Sequence, residues 1–235
     1  MSMLTIIQNA QKRMGLDVAT SVAGNSDDTA VKLLALLNQA GEELAQEYPW
    51  QALQREATFT TVAAETQGAM ETLAPGWLYI VNQTIWNRSL RRPVFGALTE
   101  QDWQLLKSSS VQGPFQQFRI MGGNLMFIPA PPAGQTCAFE YITKLWATDS
   151  TGVTGKSAFD DDADVALLDE QLLTLSLIWR FKQSNGLDFA PELQMYNLRL
   201  GNAEARDAGK QALDLDGRPR VLMPGVMVPQ GNWNP

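Results

Sequence analysis

The sequence predicts an α+β protein in which helices from both ends of the chain form one bundle with an inserted antiparallel β-rich module. Three observations predict this fold. Helical periodicity occupies both ends of the chain, within residues 3–48 and 164–213. Short strand-like segments separated by turn residues fill the middle, between residues 55 and 147. The final 22 residues hold four prolines and three glycines, a composition that excludes a helix and predicts an extended C-terminal arm.

The same patterns predict where one unit gives way to the next. We expect the helical bundle to comprise residues 1–54 and 148–213, the β-rich module residues 55–147, and the arm residues 214–235. A chain of 235 residues that is 45% hydrophobic can bury one good core, divided here into a helical and a sheet portion in contact.

Two helices are predicted near the amino terminus. Residues 3–14 place apolar side chains at helical spacing, and a second helix extends over about residues 28–48. Asp27 or Asp28 can cap the free N–H groups at its start, and Pro49 ends it. The apolar face of this second helix consists of Val31, Leu34, Leu37, Gly41, Leu44 and Tyr48.

The middle of the chain alternates strands with turns. The clearest turn is Met121-Gly122-Gly123-Asn124, because glycine reaches positive φ without steric cost, so its flanking segments should pair as a hairpin. A short helix is expected over residues 99–106, and residues 128–134, with three prolines, should form an exposed connection. The predicted strands are residues 55–62, 77–86, 89–95, 115–121, 124–128 and 136–146.

Helical periodicity returns after a polar surface loop predicted over residues 148–162. Residues 164–186 predict a largely buried helix. The acidic run from Asp160 to Asp164 is expected at the start of this helix, where negative charge is favourable, and Asn185-Gly186 provides a left-handed stop. A last helix should begin near Asp188 and fade by about Leu213.

The composition excludes several classes of chemistry. The chain has no histidine, which removes Ser-His-Asp and Cys-His catalysis and most transition-metal sites. Its single cysteine, Cys137, cannot form an internal disulfide and is expected to be a small buried hydrophobe. A net charge of -7 disfavours tight, sequence-independent DNA binding, which depends on cations that displace counterions from phosphate. We therefore predict no catalytic residue, no cofactor and no metal site.

No segment predicts a membrane anchor or a secretory signal. No apolar run reaches the roughly 18 residues that a membrane span needs. The basic pair in MSMLTIIQNAQKRMG follows the apolar stretch, which is the reverse of a signal peptide. We expect a soluble protein that is made in the cytosol.

Two short motifs imitate known sites. Residues 152–157 end in the Gly-Lys-Ser of a phosphate-binding loop, but Ser150 stands where that motif requires its first glycine. The acidic run from Asp160 to Asp164 contains ligands for a hard cation, yet it lacks the glycine turn and the distal glutamate of an EF-hand. Both motifs are interpreted as structural, and the acidic run as a solvated, helix-capping segment.

Three features keep other functions open. Glu140, flanked by Phe139 and Tyr141, is the first candidate for carboxylate-dependent peptidoglycan cleavage, although an outward position on an alternating strand is the favoured interpretation. Arg88, Arg91 and Arg92 form a basic cluster suited to DNA, an acidic neighbour or, preferably, salt bridges at a subunit contact. Seven tryptophans would suit a glycan- or receptor-binding tail component, but most lie within apolar patterns that favour core or interface packing: Trp50, Trp77, Trp86, Trp103, Trp146 and Trp179.

The carboxyl-terminal arm is more apolar than a solvated linker usually is. Such a segment, apolar but broken by prolines, suggests a strap that orders when it docks on a partner. The predicted partner-binding residues are Val221, Leu222, Met223, Val226, Met227, Val228 and Trp233.

The series of motifs resembles the head-to-tail adaptor, or connector, proteins of podovirus-type bacteriophages and prophages. The resemblance covers roughly residues 28–200 and rests on the helix that ends in YPWQAL, the QREATFTT strand, FRIMGGNLMFIPAPPAGQTCAFEYITKLW, and AFDDDADVALLDEQLLTLSLIWRFKQSNGLDFAPELQMYNL. This sequence differs from the smallest members of that group in its sizeable β-rich module.

The resemblance implies a virion structural protein of the neck and tail region that is made in the host bacterial cytoplasm and is not an enzyme. Its implied partners are the portal protein, the tail nozzle protein and identical subunits in a ring of about twelve. The ring would line part of the DNA channel, with only transient, non-specific passage of DNA and no contact with a membrane. The arm would reach toward the portal, and the acidic charge balance would let DNA slide past.

Overall fold

The computed structural model describes residues 2–109, 113 and 115–207. Within these ranges helices combine with antiparallel sheets, which confirms the predicted α+β class. The predicted arm lies outside the described residues, together with its partner-binding residues Val221, Leu222, Met223, Val226, Met227, Val228 and Trp233.

The described part of the chain contains six α-helices and eleven strands. The helices are α1 (Met3–Met14), α2 (Asp28–Glu47), α3 (Met70–Leu73), α4 (Glu100–Ser108), α5 (Glu170–Ser184) and α6 (Ala190–Asp207). The strands are β1 (Gln54–Thr60), β2 (Thr66–Ala69), β3 (Trp77–Ile80), β4 (Trp86–Asn87), β5 (Arg92–Pro93), β6 (Gln117–Met121), β7 (Asn124–Ile128), β8 (Thr136–Thr143), β9 (Ala147–Thr148), β10 (Gly155–Lys156) and β11 (Val165–Ala166).

The strands form three antiparallel sheets. In the largest, the order is β1-β8-β4-β5, and β3 also pairs with β8. A second sheet has the order β2-β7-β6, and the predicted hairpin at Gly122-Gly123 joins β6 to β7 with Met121 paired to Asn124. The third is a small sheet in which β9 lies between β10 and β11. We refer to residues 54–143 as the sheet part and to residues 2–53 and 144–207 as the helical part.

The helical part has a core built around a tryptophan that follows β8. Helices α1 and α2 both pack on α5, and α6 packs along α5. Trp146 is almost fully buried and meets the Phe159 ring edge to face, with centroids 4.7 Å apart. On α2, a Cβ added at Gly41 would lie 2.3 Å from the Trp146 ring, so only glycine lets α2 approach this closely.

The ends of the first two helices follow from local chemistry. The Ala30 N–H donates to the Asp27 carboxylate over 3.1 Å, which satisfies one of the free donors at the start of α2. α2 ends at Glu47, two residues before Pro49. At α1, Ser2 is the N-cap, and Gly15 adopts the left-handed conformation (φ 70°) that closes the helix.

Strand β8 belongs to both cores. Cys137, Phe139 and Tyr141 lie in the core of the sheet part. The next residue, Ile142, lies in the core of the helical part, because successive side chains of a strand point to opposite faces. β8 therefore joins the two parts, in addition to pairing with β1, β3 and β4.

The predicted position of the acidic run was wrong. Helix α5 begins at Glu170, and its N-cap is Asp169, which accepts hydrogen bonds from the N–H groups of Gln171 and Leu172. The run from Asp160 to Asp164 lies in the preceding loop, and Val165 starts β11, which pairs with β9. Aspartate is a good acceptor for loop amides as well as for helix amides, and here the loop amides hold it.

Several strand bounds also differ from the predicted ones. The predicted strand 136–146 ends at Thr143, and 77–86 is divided by a turn into β3 and β4. Strand β2, helix α3 and the small third sheet were not predicted, and the loop predicted over 148–162 contains β10 and the buried Phe159. The last helix begins at Ala190, and its described part ends at Asp207.

Candidate interaction surfaces

Hydrogen bonds and ion pairs link the acidic run to the Gly-Lys-Ser segment and hold this loop in place. Asp164 is buried and accepts hydrogen bonds of 3.0 Å from the N–H groups of Asp160 and Asp161. Lys156 donates to Asp164 over 2.7 Å and also pairs with Asp160. These hydrogen bonds raise the pKa of Lys156, and the one to Asp160 has the larger effect. Lys156 lies in β10 and is engaged by carboxylates, so this segment is not arranged as a phosphate-binding loop.

Asp162 connects the same loop to the helix connection near the amino terminus. One of its carboxylate oxygens accepts hydrogen bonds from the N–H groups of Val22 and Ala23, at 3.0 Å and 2.8 Å. Burial alone would raise the pKa of Asp162, but the two amides and the Ser21 hydroxyl outweigh it and lower the pKa. No cluster of metal-binding side chains occurs within the described residues.

An open groove lies where α5, α6 and Trp50 meet, and we call it the α6 groove. Its volume is about 650 Å³, and its lining includes Trp50, Leu175, Met195, Leu198, Arg199 and Asp207. Arg199 on α6 pairs with Asp169 at the start of α5 over 3.0 Å. Burial acts to raise the pKa of Asp169, but its bonds to Arg199 and to the helix amides lower it overall. This pair fixes the two helices across one side of the groove.

Helix α6 exposes large apolar side chains beside this groove. Leu198 is 71% exposed and Met195 is 59% exposed. Asp207, the last described residue of the chain, accepts a hydrogen bond of 2.8 Å from the Gln51 N–H. The described part of the chain therefore ends at the edge of the α6 groove.

A second groove lies on the outer face of the largest sheet, and we call it the Trp86 groove. Its volume is about 510 Å³, and its lining includes Glu56, Gln83, Trp86, Arg88, Arg91 and Glu140. Trp86 is 39% exposed and pairs across the strands with Ala138, which also lines the groove.

Two carboxylates share this face. Glu56 on β1 is directly opposite Glu140 on β8. Facing like charges destabilise a sheet, and each of these carboxylates has a partner that reduces the repulsion. Glu56 pairs with Arg88 over 2.5 Å, and Glu140 accepts a hydrogen bond from the Gln54 amide.

A buried asparagine positions the hairpin that forms one wall of the Trp86 groove. Asn87 is almost fully buried, and its amide donates to Gln135 over 2.6 Å and to Gln116 over 3.3 Å. Its carbonyl oxygen accepts from the Leu90 N–H over 3.0 Å, which closes the turn that carries Arg88 and Arg91. Asparagine and aspartate side chains often close turns in this way.

The candidate residues from the sequence analysis lie in different environments in the structure. Glu140 is half-buried on the Trp86 groove, together with Arg88 and Arg91, whereas Arg92 lies in β5. Cys137 is buried, and burial raises its pKa to about 11. Trp50, Trp103 and Trp146 are buried, and Trp77 and Trp179 are half-buried.

Sequence reasoning missed the exposed side of α6 and the conformations of two groove residues. The sequence pattern predicts this helix but not which of its apolar side chains stay exposed, so only the exposure of Met195 and Leu198 in the structure reveals this surface. Gln83 and Arg91 have positive φ values of 62° and 54°, for which the residue types give no signal.

A family model described as SU10 adaptor protein matches residues 1–223. No curated protein matches the chain. Within the described residues, no helix combines the length and the apolar character needed to cross a membrane.

Proposed function

The chain belongs to the SU10 adaptor protein family, and from this premise we propose that it is a virion structural subunit that links the portal to the tail nozzle. In this proposal it acts in assembly and not as an enzyme. Identical subunits form a closed ring, one side of which meets the portal protein and the other the nozzle protein.

The exposed apolar side of α6 is the observation that carries this proposal. Leu198 and Met195 are largely exposed beside a groove of about 650 Å³. Contiguous apolar surface on a soluble subunit marks an interaction site, because leaving it in water costs free energy that a partner recovers. A ring requires two different complementary patches on each subunit, and the α6 side supplies one of them.

The arm supplies the contact with the portal in this proposal. Asp207, the last described residue, lines the α6 groove, and in this proposal the arm extends from there toward the portal. Burial of the arm's apolar side chains on the portal would offset the entropy lost when the arm orders. These side chains are Val221, Leu222, Met223, Val226, Met227, Val228 and Trp233.

The charge distribution supports passage of DNA without adhesion. The helical part carries nine Lys and Arg against seventeen Asp and Glu, whereas the sheet part carries six of each. An acidic channel wall repels phosphate and releases no counterions, so DNA gains no binding free energy from it. We propose that the helical part faces the channel.

A truncation tests the arm. Deletion of residues 214–235 should leave a folded subunit that no longer binds its portal protein in a pull-down. Replacing Leu222, Met227 and Trp233 with serine should have the same effect, while replacing the charged Arg218 and Arg220 serves as the matched control. Undiminished portal binding by the truncated subunit would refute the arm's role.

Substitutions on α6 test the ring. Met195→Ser together with Leu198→Ser should prevent subunit association on the portal, measured by mass photometry, without reducing thermal stability. Leu187→Ser is the control, since Leu187 is also exposed but does not line the α6 groove. Normal rings from the α6 double variant would assign the ring contact to another surface.

The rival function, carboxylate-dependent cleavage of peptidoglycan, has its own test. Glu140 and Glu56 are neighbours on one sheet face, and each already accepts a hydrogen bond from a protein side chain. Cleavage by the folded protein in a zymogram, lost in Glu140→Gln, would favour the rival over an assembly role.

A further inference from the structure

We propose that the Trp86 groove binds a neutral saccharide chain. The groove is a concavity of about 510 Å³ on the outer face of the largest sheet, remote in sequence from α6 and the arm. Binding sites for small molecules are concave, and they combine an apolar surface with a few convergent polar groups. Both elements are present here.

The indole of Trp86 supplies the apolar surface. Among the tryptophans of the described residues, Trp86 is the most exposed, at 39%. Its cross-strand neighbour on the same face is Ala138, whose small side chain leaves space beside the ring. A sugar ring presents a face of C–H groups that can stack on such an indole.

The polar groups of the groove suit hydroxyl groups. Carboxylates accept hydrogen bonds and guanidinium groups donate them, so Glu56, Glu140 and Arg88 can engage both ends of a hydroxyl dipole. Glu56 and Glu140 each have one oxygen without a hydrogen-bond partner in the described part of the protein. Arg91 forms no ion pair there.

The balance of charge selects a neutral ligand. Two carboxylates, of Glu56 and Glu140, face two guanidinium groups, of Arg88 and Arg91, so the four formal charges cancel. Nucleic acid requires an excess of cations, and an acidic or basic peptide requires an excess of the opposite sign. A polyhydroxylated, uncharged chain requires neither.

The backbone of the groove is held in an uncommon conformation. Gln83 and Arg91 are the two non-glycine residues with positive φ in the described part of the chain, and both line this groove. Such conformations persist only where the surroundings impose them, and they concentrate at binding sites. The Asn87 side chain fixes the turn that contains Arg91. The Thr84 hydroxyl fixes the turn that contains Gln83 by donating to the Val81 carbonyl over 2.6 Å.

The experiment is a titration of the full-length protein with chitotetraose and cellotetraose, followed by calorimetry and by tryptophan fluorescence. We expect saturable binding that Trp86→Ala and Ala138→Val each weaken at least tenfold, the second by filling the space beside the indole. Tyr79→Ala is the matched control, because Tyr79 is an exposed aromatic residue on β3 that does not line the groove. It should bind as the parent does.

Two results would overturn the proposal. The first is the absence of saturable binding for both saccharides at millimolar concentration. The second is a loss of subunit assembly on the portal by Trp86→Ala, which would make the groove a protein contact. Normal assembly by Trp86→Ala separates this proposal from the adaptor function, because a failure of either then leaves the other intact.

Discussion

The helical part and the sheet part of this protein are held together by different kinds of interaction. In the helical part, segments from both ends of the chain converge on buried apolar rings, with Trp146 against Phe159 at the centre. In the sheet part, β4 and β5 have only two residues each, and side-chain amides supplement the short ladder of this hairpin. Asn87 and Gln67 are buried and bonded to neighbouring turns. Ring packing is therefore most prominent in the first part, whereas the hairpin of the second part depends on satisfied polar groups in addition to the apolar core of the sheet.

The largest expected effect comes from adding one methyl group to the helical core. Gly41→Ala would place its Cβ 2.3 Å from the Trp146 ring, which is itself confined by Phe159. We expect a loss of about 3 kcal/mol in the free energy of unfolding, at the upper end of overpacking costs. Urea denaturation followed by tryptophan fluorescence measures it.

A matched glycine in α6 provides the control for this prediction. At Gly201 an added Cβ meets no atom within 4 Å. Gly201→Ala should therefore stabilise the protein by up to about 1 kcal/mol, the difference in helix propensity. Equal effects of the two substitutions on the free energy of unfolding would show that close packing against Trp146 does not determine the stability of the helical part.

The next effect tests the polar character of the sheet part. Asn87→Ala removes three hydrogen bonds and leaves the side chains of Gln116 and Gln135 and the Leu90 N–H without this partner. We expect a loss of about 2 kcal/mol, together with faster amide exchange in the hairpin of β4 and β5. Asn82→Ala, at an exposed turn position, is the control. An unchanged exchange rate would mean that strand pairing alone holds the hairpin.

The smallest expected effect concerns the stability of the protein at low pH. The folded protein lowers the pKa of Asp162, so this carboxylate contributes stability above the unfolded pKa of about 4, and the contribution is lost as the pH falls through the folded pKa. Asp162→Asn should remove about 1 kcal/mol at pH 7 and less at pH 3, because the parent begins to lose this contribution once the pH falls below the unfolded pKa. Denaturation at both pH values measures the difference.

The control for the acid prediction is Asp28→Asn. Asp28 is exposed in the first turn of α2, and its side chain accepts no hydrogen bond within the described residues. The same loss at both pH values for Asp162→Asn would indicate that the shape of the side chain matters more than its charge.

Sequence reasoning succeeded where a structure depends on neighbouring residues. The start of α2 at Asp27 and the hairpin at Gly122-Gly123 are encoded within a few residues, and both were predicted. The start of α5 was misplaced because aspartates occur both in the loop and at Asp169, and only the partners from Val22 and Ala23 distinguish them. Local patterns cannot reveal such distant partners.

The candidate surfaces were predictable only in part. The sequence identified Glu140 and the basic cluster of Arg88, Arg91 and Arg92 as two separate features. The fold brings Glu140, Arg88 and Arg91 to one groove with Trp86. Pairing of β1, β4 and β8 creates this arrangement, and it depends on contacts between residues tens of positions apart. The arm and its seven predicted contact residues lie outside the described residues, so their role stays a prediction.

Because β8 contributes side chains to both cores, a displacement of this one strand would disturb the two parts together. A slip of β8 by a single residue would turn Tyr141 away from the sheet core and Ile142 away from the helical core in the same step. A change of register in β8 would therefore disrupt the packing of both parts at once.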